Sequence, residues 1–181
     1  LIALTHGGRP FIGVIDHPAT RDRWLGVAGV SATFNGRPIR TRACADLADA
    51  LMTNSNPDFM DAEESVRYHR LRRRLRYTQY GGSCYAYGVL ASGRTDLAID
   101  SGLNVHDIIA SIAVITGAGG VVTDWAGRPI TQSWQGQVLE QSLPLIMEGD
   151  IPIAIMRRGE LLGVVTRSAI IQAMQATDTV T

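Results

Sequence analysis

Residues 80–120, YGGSCYAYGVLASGRTDLAIDSGLNVHDIIASIAVITGAGG, constrain the fold of this chain more than any other stretch. Gly81-Gly82 opens the segment, and Gly117 with Gly119-Gly120 closes it. The spacing predicts a helix over 85–91 that stops at Gly93, because a glycine just past the last turn can take the left-handed conformation that ends helices. A strand over 97–99 follows. An apolar helix over 107–116 is then closed by Gly117, and Gly120 leads into a strand over 121–124. Two acidic residues, Asp100 and Asp107, flank the step from strand to second helix.

The preceding residues read as a meander. Strands over 1–4 and 11–16 form a hairpin through His6-Gly7-Gly8-Arg9-Pro10, a turn rich in residues that tolerate or fix unusual φ. A third strand covers 23–28, and Asn35-Gly36 is a tight-turn signal. A short helix over 45–50, a strand over 51–53, an amphipathic helix over 61–75 and a strand over 77–80 complete the alternation. The fold class is therefore α/β or α+β with a mixed sheet. After residue 138 the texture changes to a short helix over 142–148, strands over 151–156 and 161–165 joined by a turn, and a helix over 168–176. A boundary near Leu139 divides the chain into residues 1–138 and 139–181.

Composition excludes several classes. The 181 residues are 45% hydrophobic and 19% charged, with formal net charge +0. This suits one globular domain or slightly more and offers no basic footprint for nucleic acid. The one dense charge run, RYHRLRRRLR at 67–76, has leucines four apart at 71 and 75 and reads as a solvated helix face. Cys44 and Cys84 lack metal-ligand spacing and are expected as reduced, buried thiols of a cytoplasmic protein. No apolar run approaches the ~18 residues that span a bilayer. The chain opens at Leu1 inside an apolar run, which reads as part of a longer protein.

Asp107, at the start of a helix, suits a capping carboxylate that favours the helix dipole. The other reading is a magnesium ligand, since that ion takes one or two carboxylates plus phosphate oxygens. Asp100 stands just past a strand. His106 reads as a packing residue or a neighbour of a ligand, with no general-base role. Gly81, Gly82 and Ser83 precede a helix whose unpaired N–H groups attract anions. Trp24, Trp125 and Trp134 read as packing residues. From the residues alone the expectation is an α/β domain with an anion and divalent-metal site.

The blocks LIALTHGGRPFIGVIDHPATRDRW, FNGRPIRTR, SNPDFMDAEE, RYTQYGGSCYAYGVLASGRTDLAID and HDIIASIAVITGAGGVVTDWAGRPI together resemble the inositol monophosphatase-like family, over residues 1–138. The YGG-x-CYAYG-x-LASG block resembles its histidinol-phosphate phosphatase branch. The resemblance implies a layered αβαβα sandwich and a magnesium-dependent phosphomonoesterase, with two or three metal ions activating water and no phospho-enzyme. It implies that Asp107 is the late metal ligand, that Asp100 contacts the non-phosphate part of the substrate, and that Gly81, Gly82 and Ser83 form the loop beside it. Histidinol phosphate is the implied substrate, with inositol or sugar phosphates as the alternative. Related enzymes are often dimers, so a homodimer is an expectation.

Three positions depart from the branch. Ser83 stands where aspartate is frequent, Gln79 where arginine is, and Thr116 where glutamate is usual. The family's other metal ligands, a Gly-Glu-Glu-like segment and Asp-Pro-x-Asp-Gly-Thr, belong before Leu1, so these 181 residues alone are expected to be inactive. The tail, SLPLIMEGDIPIAIMRRGELLGVVTRSAIIQAM, resembles the latter part of a cystathionine-β-synthase-type (CBS) module and stands where the phosphatase's closing strand and helix are expected. Gly163 and Thr166 fit that module's nucleotide-binding pattern, but Ala169 replaces its ribose-binding aspartate, which favours a packing role. A third reading is a non-catalytic regulatory protein that keeps the phosphatase remnant as a scaffold.

Overall fold

A computed structural model describes residues 1–128, 130, 143–148, 153–157 and 160–165. The meander is a five-stranded antiparallel sheet in the order β1 (Ile2–His6), β2 (Arg9–His17), β3 (Asp22–Val27), β4 (Ser31–Phe34) and β5 (Arg37–Pro38). A second sheet contains β6 (Leu51–Asn54), β7 (Tyr77–Tyr80), β8 (Leu97–Leu103), β9 (Val121–Asp124) and β10 (Leu143–Glu148), in the order β7-β6-β8-β10-β9. β6 runs parallel to β7 and β8, whereas β10 is antiparallel to both its neighbours.

Helices α1 (Ala62–Arg72), α2 (Ser83–Ala91) and α3 (Val105–Gly117) supply the other layers. α2 and α3 fill the space between the sheets. Ile15 and Trp24 of the first sheet, Leu90 of α2, Ile108 and Val114 of α3, and Ala98 and Val122 of the second sheet share one core. The alternate face of β8, Leu97 and Ile99, packs with Met52 against Tyr68 and Leu71 of α1. The result is four layers: sheet, α2 and α3, sheet, α1.

α3 lies close to the first sheet because of a row of small residues. Ala3, Gly13, Gly26 and Ala32 are register neighbours across β1 to β4. A Cβ on Gly13 would lie 2.0 Å from the Ala110 carbonyl oxygen, and one on Gly26 2.3 Å from the Val114 Cα. The opposite face carries two apolar rows, Ile2-Val14-Leu25 and Leu4-Ile12-Val27. Ile2, Leu4 and Leu25 are 70%, 56% and 42% exposed there.

Most expected elements form within a few residues of their predicted bounds, and α1 is solvated as expected, with Leu71 buried beneath its arginines. Two expectations need correction. The helix over 142–148 is strand β10. A six-residue apolar run is ambiguous by periodicity, and a place between β8 and β9 satisfies its backbone on both sides. Pro144, which cannot donate, falls at the register shift against β8. Asp100, expected just past a strand, lies within β8, which runs on to Leu103. The tail hairpin forms, β11 (Ile153–Arg157) with β12 (Glu160–Val165). Gly163 is in β12, while Thr166, Ala169, Trp134 and the helix over 168–176 lie outside the described residues.

Candidate functional site

Ser55 follows the carboxyl end of β6, and α2 and α3 begin beside it. Open sheets with parallel strands leave ligand-sized crevices at such ends. A cavity of ≈ 290 Å³ opens there, walled by Ser55 and Phe59, by Ser83, Cys84 and Tyr87 of α2, by Gly102 and Leu103 of β8, by Asp107 of α3 and by Leu1. Two residues expected from sequence, Ser83 and Asp107, thus meet. A larger hollow on the outside of the first sheet is lined by Arg21, Arg23 and Asn35 and lies away from this chemistry.

Asp107 caps α3, one of the two roles its sequence context suggested. It is the third residue of α3, and its Oδ2 accepts a 2.9 Å hydrogen bond from the Asn104 N–H, capping the helix. Its Oδ1 takes no hydrogen bond among the described residues; the His106 Nε2 lies 3.6 Å away. The Asp107 side chain is 41% exposed and that of His106 75%, so His106 is a surface neighbour and not a packing residue.

The loop before α2 is more unusual than its glycines suggest. Gly81, Gly82 and Ser83 all have positive φ, at 82°, 91° and 42°. Gly82 is the N-cap residue, and its carbonyl accepts from the Tyr85 and Ala86 N–H groups. Ser83 adopts the left-handed region without glycine's freedom, a strained choice of the kind that collects at ligand sites. The Ser83 and Cys84 N–H groups, ahead of the two bonded to Gly82, have no acceptor among the described residues and point toward the start of α2, which suits an anion.

Asp100 is where the structure departs most from expectation. It is 2% exposed and is not among the residues lining the cavity. Its Oδ1 accepts from the Ser55 N–H at 2.7 Å and from Asn54 Nδ2 at 3.4 Å; its Oδ2 accepts from the Tyr87 hydroxyl at 2.5 Å and the Ser55 hydroxyl at 3.1 Å. Burial raises its pKa above the ordinary carboxylate value, and the hydrogen bonds from Tyr87 and Ser55 oppose that rise. Burial, reinforced by the nearby Asp100 charge, drives the Tyr87 hydroxyl far up, so Tyr87 stays protonated and donates. Ser55 and Tyr87 were not singled out from sequence as site residues. The position of Ser55, just after a parallel strand, is the one signal that pointed to it.

Of the departures, Thr116 turns its hydroxyl back on α3, donating to the Ile112 carbonyl at 2.7 Å. Gln79 sits in β7. Both cysteines are free; Cys44 is buried as expected, whereas Cys84 is half-buried at the cavity wall.

The sequence model of the inositol monophosphatase family matches residues 1–154. The chain belongs to the inositol monophosphatase family. The match runs past the expected boundary near Leu139 and takes in β10, which completes the second sheet. The chain is 39% identical over 153 residues to the chloroplastic bifunctional phosphatase IMPL2 of Arabidopsis thaliana, covering 84% of this chain and 44% of that protein. It is 28% identical over 139 residues to a histidinol-phosphatase of Chlorobaculum parvum, covering 76% and 54%. An inositol monophosphatase structure from Zymomonas mobilis superposes with a TM-score of 0.73 at 37% identity, covering 82% of this chain and 56% of that one. The chain thus spans about half the length of the curated relatives it matches, 44% and 54% of the two named here.

Family enzymes are generally metal-dependent phosphatases. The donor type at Asp107 fits magnesium, a hard cation that prefers carboxylate oxygen. The donor number does not fit, because no cluster of three or more His, Cys, Asp or Glu side chains capable of holding a metal exists among the described residues. The described residues therefore do not hold a magnesium ion by themselves. No helix among them is long and apolar enough to cross a membrane.

Proposed function

We propose that the natural protein carrying this chain is a magnesium-dependent phosphomonoesterase acting on histidinol phosphate. Asp107 is one carboxylate of its metal site; the other protein ligands are not among the described residues. The observation that carries this reading is the meeting in one cavity of Asp107, whose Oδ1 takes no hydrogen bond among the described residues, with the left-handed loop at Ser83. The loop's amides suit the phosphate, and Gly81, Gly82 and Ser83 border the ester. The histidinol-phosphatase relative supports the substrate, and the Zymomonas mobilis inositol monophosphatase supports an inositol- or sugar-phosphate alternative. A cytoplasmic setting fits the two free cysteines.

Phosphate release from histidinol phosphate, with and without magnesium, tests the reading. Chelation is expected to abolish turnover. Asp107→Asn is expected to lower kcat/KM on the order of 100-fold or more, because a direct ligand matters at least as much as the groups that orient it. Unchanged turnover in that variant would remove Asp107 from the metal site. Equal turnover of inositol phosphate would remove the substrate assignment, and no release from any ester would favour a non-catalytic scaffold.

The β11–β12 hairpin supports the CBS-like reading of the tail, which we place in residues 139–181 with β10 lent to the phosphatase sheet. Gly163 and Thr166 would be its nucleotide-facing positions. With Ala169 in place of the ribose-binding aspartate, packing is the role we assign it.

A further inference from the structure

A carboxylate has about four lone-pair positions, and those of Asp100 are all taken by the two N–H and two O–H donors of Asn54, Ser55 and Tyr87. Only an ionised carboxylate accepts four donors at once. Ser55 and Tyr87 also line the cavity that holds Ser83 and Asp107. Each hydroxyl has a single proton, and both protons are committed to Asp100. Whatever Ser55 Oγ and Tyr87 Oη offer an entering molecule is therefore a lone pair. The buried negative charge behind them strengthens both as acceptors, since hydrogen bonds in a chain polarise one another where water is excluded.

We propose, resting on the phosphatase reading above, that Asp100, Ser55 and Tyr87 form an acceptor-only wall selecting phosphate esters whose organic part carries a positively charged, hydrogen-bond-donating nitrogen. Ser55 and Tyr87 are the specificity-determining residues. Asp100 is a positioning residue that fixes their protons without touching the substrate. A cationic nitrogen has protons and no lone pair, so it matches this wall completely. A neutral hydroxyl can match it too, but without the charge.

The test compares histidinol phosphate with glycerol 2-phosphate, whose organic part carries hydroxyls only, on the natural protein. Tyr87→Phe keeps the ring in the core and removes one acceptor; Ser55→Ala removes the other. Each is expected to raise KM for histidinol phosphate about ten-fold, the size of a hydrogen bond to a charged group. kcat should stay within about two-fold, while KM for glycerol 2-phosphate, whose neutral hydroxyls bond the wall more weakly, should rise only about three-fold. Ser55→Thr retains the hydroxyl and should restore the parent KM. Asp100→Asn frees the hydroxyl protons and should reproduce the same split. Equal losses on both esters, or no change on either, would overturn the proposal while leaving the phosphatase reading intact. A parent protein that releases phosphate from neither ester would overturn both.

Discussion

Asp96 has no exposed surface, yet it carries one of the tightest sets of contacts in the molecule. Arg42 Nε and Nη2 each donate to it at 2.5 Å and the Leu51 N–H at 2.8 Å, while the Asp96 N–H donates back to the Leu51 carbonyl at 2.9 Å. This exchange clamps the start of β6 to the residue before β8, which holds Ser55 opposite Asp100 further along the same strands. Arg42, raised above its ordinary pKa chiefly by that hydrogen bonding, stays charged. Arg42→Met would leave a buried carboxylate with one backbone donor and is expected to cost about 3 kcal/mol in urea unfolding; a loss under about 1 kcal/mol would mean that water replaces the guanidinium. Spacing could not reveal this pair, because its members lie 54 residues apart. Asp107 was legible because its signal is local: an acidic residue opening an apolar helix between glycines. The burial of Asp100 was not, since its partners Ser55 and Tyr87 lie 45 and 13 residues away.

At the scale of elements, α3 decides where the site is. It packs against both sheets, and its first turn carries Asp107. The small-residue row sets its height over the first sheet, so Gly26→Ala must displace the helix backbone near Val114. Overpacking of this kind costs about 1–3 kcal/mol, and the upper end is expected here because the obstructing atoms are backbone. Thermal unfolding of the variant measures the cost, and a stability equal to the parent would mean that α3 moves freely over the sheet. The helices, the hairpin and β9 were readable because glycine and apolar period mark them within a few residues. β10 was not, because what makes it a strand is the open place between β8 and β9, a fact of the sheet and not of residues 142–148.

The molecule as a whole has one face that its described residues leave uncovered, the apolar rows of the first sheet. Contiguous exposed apolar surface of this kind drives association, and β1 adds a strand edge that is unpaired among the described residues. The 181-residue chain is expected to sediment as concentration-dependent oligomers, and Leu4→Arg combined with Leu25→Arg to shift it toward monomer. A monomer at high concentration with cooperative unfolding would refute this. The opposite face of the same sheet has a genetic consequence. Every single-base missense change in a glycine codon adds a Cβ, so positions 13 and 26 have no accessible neighbour in sequence space that spares the backbone of α3. Selection would hold both as firmly as an acid that meets substrate, although neither glycine does any chemistry.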